Sequence, residues 1–291
     1  MEAMCAAATL DAWLNQAAGR IATALGLTRA EARLEARVLA AHALGVNRAW
    51  LAAHGGDTLA PTQATAMERC IAQRLRGEPV AYITGRREFY GLEFIVTPDV
   101  LIPRPETELL VDLALERLPA ERSARVLDLG TGSGAVALAI AAHRPAAHVL
   151  AVDRSQAALC VARDNANHLD IGNVTFQQSD WYLQVRAKNF DIIVANPPYL
   201  AASDPHLARG DLRFEPRQAL CAGEDELAAI RVIVQGAPTC LRPGGWLLLE
   251  HGCDQAEACQ ALLCEHGWQD AQTWPDLAGL ARVSGGRLRQ T

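Results

Sequence analysis

At 291 residues, half of them hydrophobic, the chain has the length for one large domain or two ordinary ones and the material for a sizeable core. A formal net charge of −6 and a pI near 5.8 argue against gripping long nucleic acid by phosphate neutralisation. No apolar stretch approaches the ~20 residues that cross a bilayer, and the first residues carry acids where a secretory signal carries bases; a soluble, cytoplasmic chain with no membrane partner is expected.

Residues 1–80 read as a helical bundle of about five short helices, alanine-rich and suited to recognising a partner protein or to scaffolding. In "TRAEARLEARVLAAHALG" a capping box, Thr28 with Glu31, opens a helix that places Leu34, Val38, Ala41 and Leu44 at helical spacing and stops at Gly45. A second helix runs from Pro61 towards Gly77. Residues 81–103 change to alternating β-branched and aromatic residues around Gly85 and Gly91, which predicts a β-hairpin linker. Arg86, Arg87 and Arg104 there read as solvated surface, with a local basic face as the alternative.

Residues 104–291 alternate between strand and helix. Short apolar strands are expected at 125–130, 148–153, 174–180, 190–196 and 246–252, with "ARVSGGRLRQT" as a closing hairpin strand. This pattern predicts an α/β domain with a largely parallel sheet and ligands at the carboxyl ends of its strands. The eight cysteines lie in apolar segments without a C-x-x-C pair, as buried reduced thiols would. His251, Cys253, Cys259, Cys264 and His266 match no familiar zinc spacing, and their segment reads as one helix; no metal is expected.

Four strand exits carry chemistry. "DLGTGSGA" is a glycine loop between strand and helix, where Gly130, Gly132 and Gly134 allow a tight turn and close approach of a ligand to backbone. It also fits the G-x-G-x-x-A form of a dinucleotide fingerprint, so a nicotinamide enzyme competes at this point. Asp153 ends the next strand and suits a ribose diol, or the cap of the helix that follows. Asp180 and Trp181 suit an adenine amine and ring, or a plain turn.

The fourth exit, "NPPY", separates the cofactors. Hydride transfer has no use for it, whereas methylating a planar –NH₂ requires the nitrogen to be held with one face open, because its lone pair is delocalised. The Asn196 side-chain carbonyl and the Pro197 backbone carbonyl can each accept one N–H. Pro197 and Pro198 stiffen the turn without adding donors, and Tyr199 offers a flat wall. The bland alternative is a rigid turn with a surface tyrosine.

With "DLGTGSG", "AVDRS", "SDW" and "NPPYL" set in order among "GRREFYGLEF", "LIPRPETE" and "GDLRFEP", the chain resembles the PrmC/HemK family of protein-(glutamine-N5) methyltransferases. The resemblance implies a class I S-adenosylmethionine-dependent methyltransferase fold: Rossmann-like, with a mostly parallel seven-stranded sheet at 104–291, a β-hairpin linker at 81–103 and a small helical bundle at 1–80. It implies that Gly130, Thr131, Gly132, Ser133 and Gly134 hold the methionine part of S-adenosylmethionine, Asp153 the ribose, and Asp180 and Trp181 the adenine. Asn196 would border both cofactor and substrate, and Asn196, Pro197, Pro198 and Tyr199 would bind the glutamine amide of the GGQ loop of class I peptide chain release factors. Phe89 would wall the mouth of the site, and "RPETE" would open a helix over the cofactor. The implied protein is a monomer that binds no nucleic acid stably. "ARVSGGRL" follows the family's pattern only loosely. Alternatives are glutamine methylation on a ribosomal protein, an adenine-N6 or cytosine-N4 nucleic-acid methyltransferase, which would need a basic cleft, and a non-catalytic scaffold that keeps the cofactor fold.

Overall fold

The computed structural model describes residues 9–290, so that Cys5 lies outside the described residues. The chain forms two compact units, one comprising residues up to Gly85 together with Ala208–Phe214, the other Arg86–Leu207 and Glu215 onwards.

The first unit contains helices α1 (Leu10–Leu25), α2 (Arg29–Leu44), α3 (Arg48–Ala53), α4 (Pro61–Leu75) and α5 (Val80–Thr84). Thr9, Thr28 and Asn47 cap α1, α2 and α3 with their side-chain oxygens, and the capping box at Thr28 and Glu31 is formed in both directions. The buried face of α2 differs from the leucine stripe the spacing suggests. Ala32, Ala36, Leu39 and Ala40 are buried, while Leu34 is 56% exposed. Small residues on α2 face Ala17 and Ala18 on α1 in one core, which lets the two helix axes come close. Residues 81–84, expected to begin the hairpin linker, are the last of α5 and are helical.

The second unit opens with strands β1 (Arg86–Phe89) and β2 (Leu92–Ile95), an antiparallel hairpin. Its two-residue turn, Tyr90 and Gly91, has positive φ at both positions (52° and 75°), as the twist of a tight hairpin demands. A 3-10 turn, Pro105–Thr107, leads into α6 (Glu108–Arg117). Then follow β3 (Arg125–Leu129), α7 (Ala135–His143), β4 (His148–Asp153), α8 (Gln156–His168), β5 (Val174–Gln178), β6 (Phe190–Ala195), β7 (Leu200–Ala201), α9 (Arg217–Leu220), β8 (Cys221–Gly223), α10 (Ala228–Gly236), β9 (Leu241–Glu250), α11 (Ala256–Glu265), β10 (Gln269–Pro275) and β11 (Ala281–Arg287).

Seven of these strands form one sheet in the order β10-β11-β9-β6-β3-β4-β5. The run from β9 to β5 is parallel, and β11 and β10 are antiparallel at one edge, in keeping with the mostly parallel seven-stranded sheet implied by the resemblance. Alternation along the strands feeds two cores. Val126, Ile192 and Val194 pack with α6 and α7, whereas Leu127, Leu129, Ile193 and Ala195 pack with α10 and α11. The order reverses at β3, which is flanked by β4 on one side and β6 on the other, so a crevice opens where their carboxyl ends diverge. Three expectations change: β9 begins at Leu241 rather than Trp246, α11 occupies only Ala256–Glu265 of its segment, and β10 is a strand that no apolar run announces.

Candidate active site

The glycine loop leaves β3 at Gly130. The N–H groups of Gly130 and Thr131 both donate to the carbonyl of Val152 (2.8 and 2.9 Å), which ties the loop to β4. Gly134, at φ 83°, starts α7, and a Cβ there would stand 3.0 Å from Leu138 and 3.2 Å from Ala162; only glycine lets α7 and α8 sit this close. Gly132 is glycine for another reason. It lines the crevice, and a Cβ on it would meet nothing within 4 Å, so the missing side chain leaves room for a ligand. Thr131 and Ser133 are buried and the crevice is lined by their glycine neighbours instead.

Asp153 ends β4 and reaches back under the loop. One carboxylate oxygen accepts the N–H of Gly132 (2.9 Å) and the other that of Ser155 (2.8 Å), leaving lone pairs on both. Burial raises its pKa, against these backbone donors. The capping role open to Asp153 falls to Ser155, whose hydroxyl accepts from Ala158 N–H (3.2 Å). Beyond β5, the Ser179 hydroxyl donates to the carbonyl of Trp181 (2.7 Å) and accepts from Gln184 N–H (3.1 Å), holding Trp181 at φ 46°. Asp180 and Trp181 line the same crevice, the indole 3.7 Å from where a Gly130 Cβ would be. Asp99, Val100 and Leu101, which the sequence did not single out, line it as well.

Asn196 leaves β6 and lines this crevice. Its side-chain Nδ2 donates to the Thr107 hydroxyl (3.2 Å), so the carbonyl Oδ1 is the end free for a ligand. Pro197 is buried and Pro198 lines the crevice. Tyr199 is half-buried rather than a surface ring; burial, with Glu250 nearby, pushes its hydroxyl up to about 12, and its backbone carbonyl accepts from Gln255 (3.0 Å). Strands β6 and β9 pair in parallel with Ala195 opposite Leu249, which sets the next residues, Asn196 and Glu250, side by side. Glu250 is only 2% exposed. Burial lifts its carboxyl to about 7, against the Thr107 hydroxyl, Arg282 and the Asn196 amide, with Glu106 adding to the rise. Sequence reading missed Glu250 and took Thr107 only as part of "RPETE". The one available signal was that "LLLE", like the other strands, ends in a polar residue.

One expectation at the mouth is corrected. Phe89 is 1% exposed and packs edge-on against Phe94 (6.2 Å) in the core with α6 and α7, because it lies on the inward face of the hairpin; it cannot wall a substrate. "RPETE" reaches the crevice through Thr107, which meets Asn196, while the helix it opens, α6, packs its apolar residues into the core. The nearby arginines are engaged. Arg104 pairs with buried Glu215, which also accepts from Ile102 N–H (3.0 Å), and Arg87 Nε donates to the Pro103 carbonyl (3.2 Å). The described cysteines are unpaired, but Cys160, Cys253 and Cys264 are exposed, contrary to the expectation of burial. Among the described residues no three His, Cys, Asp or Glu side chains are grouped to hold a metal, and no helix is long and apolar enough to cross a membrane.

Comparison with known proteins gives the family. Residues 12–85 match the family described as the PrmC N-terminal domain, and residues 107–210 the Methyltransferase small domain. A release factor glutamine methyltransferase of Bordetella pertussis is 53% identical over 88% of this chain and 95% of its own length, and one of Escherichia coli is 44% identical over 89% and 93%. A solved methyltransferase from Pyrococcus furiosus, 18% identical, covers 76% of this chain and 98% of its own with a TM-score of 0.54, a likeness of fold alone. The sheet is that of a class I methyltransferase. With relatives of this identity matched across both of its units, the chain belongs to the release factor glutamine methyltransferase, or PrmC/HemK, family.

Proposed function

We propose that this protein transfers a methyl group from S-adenosylmethionine to the side-chain amide nitrogen of the glutamine in the GGQ loop of class I peptide chain release factors. The observation that carries the reading is the placement of Asn196. It belongs to the cofactor crevice and to the NPPY turn at once, with its amide nitrogen occupied by Thr107 and its carbonyl free.

The residues suit the cofactor. Gly132 leaves space against the backbone, Asp153 keeps lone pairs for ribose hydroxyls, and Asp180 and Trp181 provide an acceptor and a ring for adenine. When bound, S-adenosylmethionine supplies an electrophilic methyl carbon. The chain's own part is to hold the acceptor. Asn196 Oδ1 and the Pro197 carbonyl take the two N–H bonds of the glutamine amide, and the Tyr199 ring supports its plane, so that one face of the nitrogen stays open. Tyr199, with its pKa near 12, stays protonated and is no base. None is needed before attack, because the nitrogen becomes acidic as it is alkylated and gives up its proton afterwards.

Methyl-labelled S-adenosylmethionine incubated with purified release factor, with a GGQ-to-GGA variant and with DNA tests the proposal. Label on the unaltered release factor alone is expected, and Asn196→Ala lowers the rate by about 100-fold or more, since loss of positioning has costs of that order. Label on DNA but not on release factor overturns the reading.

A further inference from the structure

Glu250 has no place in that account, and a buried carboxyl beside the reacting corner calls for one. Its Oε2 has no hydrogen-bond partner, and the side chains that approach the carboxyl are those of Thr107 and Asn196. An amide can sit either way round. Turned over, Asn196 would present N–H groups to an acceptor nitrogen that itself offers N–H groups, and binding would be repulsive.

We propose that Glu250, acting through Thr107, fixes the orientation of the Asn196 amide and so keeps its carbonyl towards the substrate nitrogen; this rests on the function proposed above. Hydrogen-bond direction sets this orientation. An ionised carboxylate only accepts, whereas a hydroxyl has one proton and two lone pairs. With Glu250 ionised, the Thr107 proton goes to the carboxylate. The Thr107 lone pair then accepts from Asn196 Nδ2, the 3.2 Å contact present in the structure. With Glu250 protonated, its own O–H can donate to Thr107. The hydroxyl proton is thereby released to seek the Asn196 carbonyl, and the preference for one orientation is lost. Glu250 is thus a positioning residue that touches no reacting atom.

The surroundings bring this switch into an accessible pH range. Facing Glu250 are Arg282 on β11, Glu106 in the turn before α6 and Tyr199 after β6, besides Thr107 and Asn196. Burial outweighs Arg282 and holds the carboxyl near 7, so the ionised form that orients Asn196 prevails above that pH and fades below it. Arg282 is itself held by Asp276 on the loop between β10 and β11 (3.3 Å), and Arg104, which acts on Tyr199, is held by Glu215.

The test uses the full chain with Glu250→Gln, Thr107→Val and Thr107→Ser. Wild-type kcat on release factor should fall as pH drops through about 7. Glu250→Gln and Thr107→Val should lower kcat by about 10- to 100-fold, the usual effect of losing a residue that orients a ligand-binding group. Affinity for S-adenosylmethionine should change little, Thr107→Ser should keep the wild-type rate, and Glu250→Gln should lack the acid limb. A second readout needs no substrate: the side-chain NH₂ resonance of Asn196, assigned by its loss in Asn196→Ala, should titrate near pH 7 in the wild type and stay flat in Glu250→Gln. A flat wild-type resonance, or a Glu250→Gln enzyme with wild-type rate and acid limb, overturns the inference. If the resonance titrates as stated but release factor is never labelled, the substrate assignment fails and the positioning role stands.

Discussion

Asp128, two residues before the glycine loop, is 2% exposed, and its Oδ2 has no hydrogen-bond partner. Burial pushes it up to about 7, opposed by Thr131 and reinforced by Asp153. The consequence for stability has a definite sign. A folded-state pKa near 7, against an unfolded value near 4, means that the native chain holds more protons between those pH values, so this group's contribution to stability falls as pH rises through the window. The span corresponds to on the order of 4 kcal/mol as a ceiling. Asp128→Asn does not titrate. Its melting temperature relative to wild type should therefore rise by roughly 5–10 °C from pH 5 to pH 8; an unchanged difference would show that Asp128 ionises normally. At this scale the sequence is legible where chemistry is local. Asp153, Asp180 and Asn196 stand at strand exits beside a glycine loop, and all three line one crevice. Glu250 was not legible, because its meaning depends on Thr107 and on the register of β6 with β9, both remote in the chain. Phe89 was expected at the mouth from the resemblance alone, whereas alternation along the hairpin turns it inwards.

Helices and strands were legible to the extent that burial follows apolar character. Four interior strands of the sheet, β9, β6, β3 and β4, carry apolar runs because both faces are covered. β10 escaped because "QDAQTWP" is an edge strand paired on one side only, with little buried. Its place is marked by a side chain from elsewhere: Arg117 at the end of α6 lies over the rings of Trp246 on β9 and Trp274 on β10, at 4.4 and 4.7 Å. In α2 the leucine spacing pointed to the wrong face, since hydrophobic size and close packing make opposite demands there. Ala36 is fully buried against the neighbouring helices, and Leu34 is largely in solvent. Urea unfolding should separate the two. Ala36→Leu should cost about 1–3 kcal/mol by overpacking, while Leu34→Ala should stay within roughly 0.5 kcal/mol. The reverse ranking would place the leucine stripe in the core after all.

For the molecule as a whole, the helical first part and the alternating second part can be read from the sequence, but the return of residues 208–214 to the helical unit cannot. The chain leaves the second unit after Leu207, contributes Ala208–Phe214 to the first and re-enters at Glu215, only a short way beyond the NPPY turn. Arg74 on α4 holds this excursion. Its guanidinium, 5% exposed, pairs with Glu35 (2.8 Å) and Asp211 (2.8 Å) and donates to the carbonyls of Gly77 and Glu78. Gly77, at φ 93°, adopts a backbone conformation that favours glycine, and a Cβ there would displace the Arg213 guanidinium, which donates to the Arg76 carbonyl (2.9 Å). None of these partners is close to Arg74 in sequence except Gly77 and Glu78, so only the fold reveals the set. Arg74→Met leaves two carboxylates without their cation, and because Glu35 and Asp211 are partly solvated (21% and 42% exposed) the cost should stay below the ~3–5 kcal/mol of breaking a fully buried pair. The strain falls on the 208–214 segment, so trypsin should cut after Arg209 or Arg213 faster in the variant than in wild type. Affinity for S-adenosylmethionine, measured by calorimetry, should be unchanged, because Gly132, Asp153 and Trp181 lie wholly in the other unit. Turnover of release factor should fall even so, because the loosened segment follows Tyr199 along the chain. Unchanged cleavage would show that the segment is held without Arg74, and an equal loss of cofactor binding would show that the variant disturbs the whole fold rather than this anchor.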